Sequence, residues 1–278
     1  MAKKLTDSRS RGIPVATEAS RAERKTAIVT GASSGIGREL ALLIAERGFD
    51  LVLIGRDSER LGSLAQAIKN HHNRESTILP IDLASQTGAR EVYEQCSRRS
   101  ILPEILVNNA GYGLFGPFAS LGIDEQLGMI QLNITTLTHL TRLFLPEMIR
   151  RRQGFVLNVA STAAFQPGPL MAAYYASKSY VVSLTIALAQ ELKGSGVSVS
   201  VLCPGPTKTE FHRRAGVKHT QVGNMAFMSA RDVAESGIVQ LLKGKTVIIP
   251  GFLNKVGAIG GRLLPMALAA QLVKQLHQ

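Results

Sequence analysis

"TGASSGIGREL" (residues 30–40) continues the apolar run "TAIVT" (26–30) and opens a helical pattern. Gly31, Gly35 and Gly37 allow a tight turn, close backbone approach and close helix packing. A helix start offers N–H groups that lack intrahelical partners, and these suit a pyrophosphate. Strand, glycine turn and helix in succession predict the first unit of a doubly wound sheet.

Further short runs rich in Val, Ile and Leu follow: "DLVLIG" (50–55), "STILPID" (76–82), "EILVNNA" (104–110), "GFVLNVAS" (154–161), "VSVSVLCPG" (197–205) and "KTVIIP" (245–250). Helical patterns at 35–47, 57–70, 85–99 and 171–193 lie between them. Continuous apolar strands joined by helices predict a parallel sheet covered on both faces. The expected fold class is therefore α/β, a single Rossmann-type domain over 25–250. Ligands are expected at the carboxyl ends of its strands.

The chain has 278 residues, 45% of them hydrophobic and 19% charged, which are globular values. Cys96 and Cys203 are its only cysteines, so it has neither a disulfide framework nor a cysteine metal site. That usage suits a reducing, cytoplasmic compartment. The net charge is +12. Part of it lies in residues 1–24, read as a polar, mobile leader without the apolar run of a secretory signal. The triplet Arg150–Arg152 ends a helical pattern, where cations meet the negative end of the helix dipole. No zinc-finger spacing or aromatic-basic interleaving points to nucleic acid.

"MAAYYASKSY" (171–180) raises the question of which tyrosine matters. On a helix Tyr174 shares a face with Lys178, whereas Tyr175 meets Ser179 and Tyr180 meets Leu184. Only Tyr174 has a cation at that spacing, and a nearby ammonium lowers a phenol's pKa.

The spacing G-x-x-x-G-x-G at 31–37 resembles that of the classical short-chain dehydrogenase/reductase family. The resemblance runs on through "NNAG" (108–111), "LN" (132–133), "NVAS" (158–161), Tyr174 with Lys178, and "PG" (204–205) with Thr209. It implies a catalytic set of Asn133, Ser161, Tyr174 and Lys178. Tyr174 would protonate a substrate carbonyl as hydride arrives, and Ser161 would hydrogen-bond the carbonyl oxygen. Lys178 would lower the tyrosine pKa and hold the nicotinamide ribose, and Asn133 would anchor a water joining Lys178 to solvent. Gly31, Ser33, Ser34, Gly35, Ile36 and Gly37 would follow the pyrophosphate and its ribose. Asp82 and Leu83 would flank the adenine, and Asn109, Ala110 and Gly111 the inner ribose. Pro204, Gly205, Thr207 and Thr209 would hold the nicotinamide end. At the end of the second strand, an acid would favour NAD(H). Gly55 followed by Arg56 instead favours the 2′-phosphate of NADP(H), with Asp57 or Ser58 read as a helix N-cap.

Tyr112, Phe115, Phe118, Phe165, Met171, Met225, Phe227 and Met228 are expected to line a pocket for a sizeable apolar carbonyl or alcohol substrate. His212, Arg213, Arg214, Lys218 and His219 make the same region basic. Three readings follow: an NADP(H)-dependent carbonyl reductase or alcohol dehydrogenase; a cofactor-binding regulatory protein without catalysis; and a lipid enzyme at a membrane surface, such as a ketoacyl or ketosphinganine reductase. The apolar helix 174–193 resembles the one that pairs subunits in the family, so a homodimer or homotetramer is expected. The tail 251–278 holds no acid. A helix from Pro265 would carry an apolar stripe of Leu264, Leu268, Leu272 and Leu276. That stripe is expected to pack on the protein, on a partner subunit or on a membrane surface.

Overall fold

The computed structural model describes residues 25–216 and 227–277. Seven parallel strands form one sheet in the order β3-β2-β1-β4-β5-β6-β9. They are β1 (Thr26–Thr30), β2 (Asp50–Gly55), β3 (Ser76–Pro80), β4 (Ile105–Asn108), β5 (Gly154–Val159), β6 (Val197–Leu202) and β9 (Val247–Ile248). A separate parallel pair joins β7 (Thr207–Lys208) to β8 (Met228–Ser229). Strand order reverses between β1 and β4, and this switch point opens a crevice at the carboxyl ends.

Helices cover both faces. Gly35–Glu46 (α1), Ser58–His72 (α2) and Gly88–Arg98 (α3) follow the first three strands. Ile123–Ile130 (α4) runs through a π-helical stretch, Gln131–Thr136, into Leu137–Arg151 (α5). Ala172–Glu191 (α6) precedes β6, the short Phe211–Arg214 (α7) follows β7, and Ala230–Leu242 (α8) leads to β9. The expected strand runs are all present; β1 and β2 match theirs end to end, the others are shorter, and β9 keeps two residues of "KTVIIP". Pro80 is tolerated because β3 is an edge strand.

The sheet separates two apolar cores. One packs Leu40, Ile44, Leu61 and Ile238 against Val29 and Leu53. The other packs Val92, Leu140, Phe144 and Met148 against Ile28, Val52 and Leu106. Between sheet and helices runs a buried polar chain. Asn108 donates to Asn158 Oδ1 (2.9 Å) and to Thr141 Oγ1 (3.0 Å), and Asn158 donates to Thr185 Oγ1 (2.9 Å). It ties β4 and β5 to α5 and α6.

Asp57 caps α2, accepting from the Arg60 N–H at 3.0 Å. The arginine triplet is structural. Arg150 pairs with Glu147 at 2.7 Å, Arg151 donates to Pro103 O at 2.8 Å, and Arg152 donates to Gly194 O at 3.1 Å.

Two helices end the described chain, Phe252–Leu263 (α9) and Met266–His277 (α10). The second starts at the expected Pro265. Ala269 and Val273 are the buried residues, whereas Leu268, Leu272 and Leu276 stay 44–62% exposed. Small side chains let the helix lie close to the body and turn the leucines to its flank. Among the described residues no helix is long and apolar enough to cross a membrane. The leader 1–24, Met225, Lys218 and His219 lie outside the described residues.

Candidate active site

The glycine turn leaves β1 with Gly31 and Gly35 at positive φ (65° and 56°), which glycine adopts without strain. A Cβ on Gly31 would sit 2.8 Å from Asn109 Nδ2, and one on Gly37 would overlap Gly31 O. Thr30 fixes the turn against β4: its hydroxyl donates to Val107 O (3.1 Å) and accepts from the N–H groups of Asn109 (2.9 Å) and Ala110 (3.0 Å). Asn109 Nδ2 returns a bond to Thr30 O at 2.9 Å. The helix that follows, α1, has Ser34 at its N-cap without a side-chain capping bond. Its first N–H groups therefore keep their capacity for an anion.

From this turn a cavity of about 660 Å³ runs across the carboxyl ends of the strands. That is ample for a dinucleotide and part of a substrate. Gly31, Ser33, Ser34, Gly35 and Ile36 line one end, with Arg56, Asp82 and Leu83 beside them. Asn109, Ala110 and Gly111 line the middle, and Ser161, Tyr174, Lys178, Pro204, Gly205 and Thr207 the far end, while Thr209 returns to the turn, 3.1 Å from where a Cβ on Gly35 would sit. Gly37 and Asn133 are not on its wall. Gly37 packs behind the turn. Asn133 sits in the π-helical stretch, donating to Tyr112 O (3.0 Å) and Ser177 Oγ (3.1 Å) and accepting from Tyr112 N (3.2 Å). It holds the loop after β4 from behind, and a Cβ on Gly111 would come within 2.9 Å of its Oδ1.

On α6 the buried residues Tyr174, Ser177, Lys178, Val181, Val182 and Thr185 form one face, so Tyr174 and Lys178 do point the same way. Ser161 lies two residues beyond β5, where its Oγ accepts from Ala163 N at 3.1 Å, donates to Pro204 O at 3.4 Å and lies close enough to the Tyr174 hydroxyl to bear on its protonation. It is thus both a cap and a member of the site. Lys178 Nζ donates to Val159 O at 3.0 Å and lies 5.8 Å from the Tyr174 ring centroid.

The electrostatics correct one expectation. Burial raises the Tyr174 pKa well above the usual phenol range, and the opposing influence comes from Ser161, not Lys178. Lys178 is itself held down to about 8 by burial, with Cys203 opposing the shift. Two buried groups that each favour their neutral form cannot strengthen one another's charge in the isolated protein.

At the substrate end Tyr112, Phe115 and Met171 line the cavity as expected. Four other expected aromatic or methionine positions do not. Phe118 is exposed, Phe165 packs in a cluster with Val181 and Val182, Phe227 is absent from the wall, and Met228 packs on the main core. The places are taken by Gln166, Tyr175, Phe211 and, from α10, Val273, Leu276 and His277. Tyr175 Oη meets His277 Nε2 at 3.3 Å, and His277 Nδ1 meets Pro169 O at 2.8 Å. No local pattern marks His277, which lies 102 residues from Tyr175.

Arg56 lies at the adenine end, exposed at the close of β2. Its neighbour Arg60 takes the carboxylates, pairing with Glu210 (3.1 Å) and Asp57 (3.2 Å). Glu210 also pairs with Arg213 (3.2 Å) and Arg214, and the Arg60 hydrogen bond leads in holding its carboxyl below the usual range. The cluster ties α2 to the segment after β7 across the cavity mouth. Among the described residues no group of three or more His, Cys, Asp or Glu is placed to hold a metal.

Comparison with known proteins agrees with this geometry. Residues 25–219 match the family described as short chain dehydrogenase. The chain is 34% identical over 188 residues to the uncharacterized oxidoreductase YvaG of Bacillus subtilis, covering 67% of this chain and 69% of that one. A short-chain dehydrogenase from Sphingobium yanoikuyae, solved in complex with NADPH, superposes with a TM-score of 0.77 at 32% identity, covering 85% of this chain and 92% of that one. A short chain dehydrogenase/reductase from Burkholderia phymatum, solved with NAD, gives 0.75 at 25% identity over 85% and 92%. Matched over most of its length by sequence and fold alike, the chain belongs to the short-chain dehydrogenase family of oxidoreductases.

Proposed function

We propose that the protein is an NADP(H)-dependent reductase that transfers hydride between the nicotinamide and a ketone or secondary alcohol on a sizeable apolar molecule. The observation that carries this reading is one continuous cavity with a bare glycine turn at one end and Ser161, Tyr174 and Lys178 at the other. The residues fit a dinucleotide. Turn positions have no room for side chains, and the first turn of α1 is uncapped. Bound there, the cofactor would supply or accept the hydride.

Arg56 would meet the 2′-phosphate with a charge-assisted bond. Lys178 would hold the ribose hydroxyls, and Asn133 would keep the Gly111–Tyr112 backbone in place for the inner ribose. A carbonyl reduced at this site becomes an alkoxide, so its oxygen needs donors. Ser161 Oγ and Tyr174 Oη lie together to provide two. The raised pKa keeps Tyr174 protonated, which suits an acid in the reducing direction. Tyr112, Phe115, Met171 and Phe211 would receive the apolar body of the substrate.

The test is a panel of aliphatic and aryl ketones of increasing bulk, assayed with NADPH and NADH side by side. Turnover with NADPH that improves with apolar bulk is expected. Faster turnover with NADH would overturn the cofactor reading, and no turnover on any ketone or alcohol would overturn the reaction. A homo-oligomer remains part of the proposal, from the resemblance of α6 to the family's pairing helix.

A further inference from the structure

Helix α9 carries its apolar stripe on the outside. Phe252, Val256, Ile259 and Leu263 recur at i, i+4, i+7 and i+11 and are 77%, 52%, 59% and 79% exposed. The face turned to the protein is made of small or polar residues: Ala258 is buried, Gly261 abuts Gln166, and Asn254 donates to Pro250 O at 2.8 Å. An ordinary surface helix has the reverse polarity. Met266 (78% exposed) and the half-exposed leucines of the next helix, α10, add further exposed apolar side chains. Single exposed apolar residues are commonplace, but a contiguous set of this extent marks an interaction surface.

Its occupant follows from charge. Lys255 and Arg262 are seven apart and flank the stripe on α9, and Lys274 lies on α10. From 236 to 278 the chain has five basic residues and no acidic one. Apolar residues bordered by lysine and arginine, with no carboxylate to repel phosphate, fit the headgroup region of an anionic bilayer. We propose that α9 and α10 seat the molecule on an anionic lipid surface. The same α10 supplies Val273, Leu276 and His277 to the cavity wall. A docked molecule thus holds its apolar pocket close to the bilayer, from which an apolar ketone can partition.

The test uses the full chain with sedimented vesicles of phosphatidylcholine, alone or with roughly one-third phosphatidylserine. Wild type should pellet with the mixed vesicles and much less with the neutral ones. A Val256→Ser, Ile259→Ser, Leu263→Ser triple variant should stay in the supernatant. Lys255→Gln with Arg262→Gln should weaken partition roughly thirtyfold. These side chains are outside the cavity, so all variants should keep wild-type turnover of a soluble ketone. Wild type left in the supernatant, or a triple variant that pellets like wild type, would overturn the proposal. So would a wild-type oligomer that the triple variant splits without any lipid binding, because the face would then join two copies. Vesicle binding needs no turnover, so a negative result leaves the reductase reading intact.

Discussion

Burial raises the pKa of Tyr174 and pushes that of Tyr175 up to about 12, yet their hydroxyls have different partners. Tyr174 meets Ser161 in the cavity, and Tyr175 meets His277. Tyr174→Phe should therefore lower kcat by about 10²–10⁴-fold, the usual contribution of a positioned acid. Dinucleotide binding by fluorescence titration should change little, and wild-type turnover in this variant would remove Tyr174 from the mechanism. Lys178 allows a test that needs no substrate. Its pKa falls from 10.5 to about 8 on folding, so below pH 8 the folded chain must bury an ammonium. Between about 8 and 10.5 the unfolded chain still holds a proton that the folded one has shed, so this contribution to stability rises with pH. Without cofactor, Lys178→Met should then be more stable than wild type at pH 7 by about 1–3 kcal/mol. The gap should close toward pH 10 in urea titrations. A gap that does not vary with pH would show that the ammonium carries no burial cost.

At the scale of elements, α10 joins the site through Val273, Leu276 and His277. His277 bonds Tyr175 and Pro169 O and stacks edge-on to Phe115 at 5.8 Å between centroids. His277→Ala should raise KM for a bulky ketone by roughly fivefold, the worth of one such bond, with kcat nearly unchanged. Tyr175→Phe should act alike, and the two effects should not add. Independent effects, or a loss confined to kcat, would refute the clasp. Periodicity made most of this architecture legible. The apolar runs located every strand of the main sheet, and the four-residue spacing placed Tyr174 and Lys178 on one face. It left open what covers the stripe of α10, because a leucine stripe says that a face is apolar, not which neighbour approaches it. Ala269 and Val273 fit against the body, and the larger leucines do not. The π-helical stretch that sets Asn133 was equally hidden, since its extra residue per turn depends on packing rather than on residue type. The cavity wall mixes residues a hundred positions apart, so only motif residues could be named in advance.

For the whole molecule, the cavity lies across the point where the strand order reverses, and anything bound there bridges both halves of the sheet. The Thr30 hydroxyl already links these halves at the site through Val107 O and the N–H groups of Asn109 and Ala110, so binding should be felt as global stability rather than local ordering. A ligand at a hundred times its Kd stabilises by about 2.7 kcal/mol. For a domain of this size that corresponds to roughly 5–10 °C in Tm. A bond between Arg56 and the 2′-phosphate contributes about 1.5–3 kcal/mol to binding, or roughly ten- to a hundredfold in Kd. At equal concentrations NADPH should therefore raise Tm by roughly 3–11 °C more than NADH. Arg56→Asp should abolish that difference or reverse it, because the carboxylate repels the phosphate and accepts from the free 2′-hydroxyl. Arg56 is exposed, so the variant should melt like wild type when no cofactor is present. An NADH shift in wild type equal to that of NADPH would show that the cation at the end of β2 does not select the cofactor. A lower Tm for the cofactor-free variant would mean that Arg56 supports the fold instead.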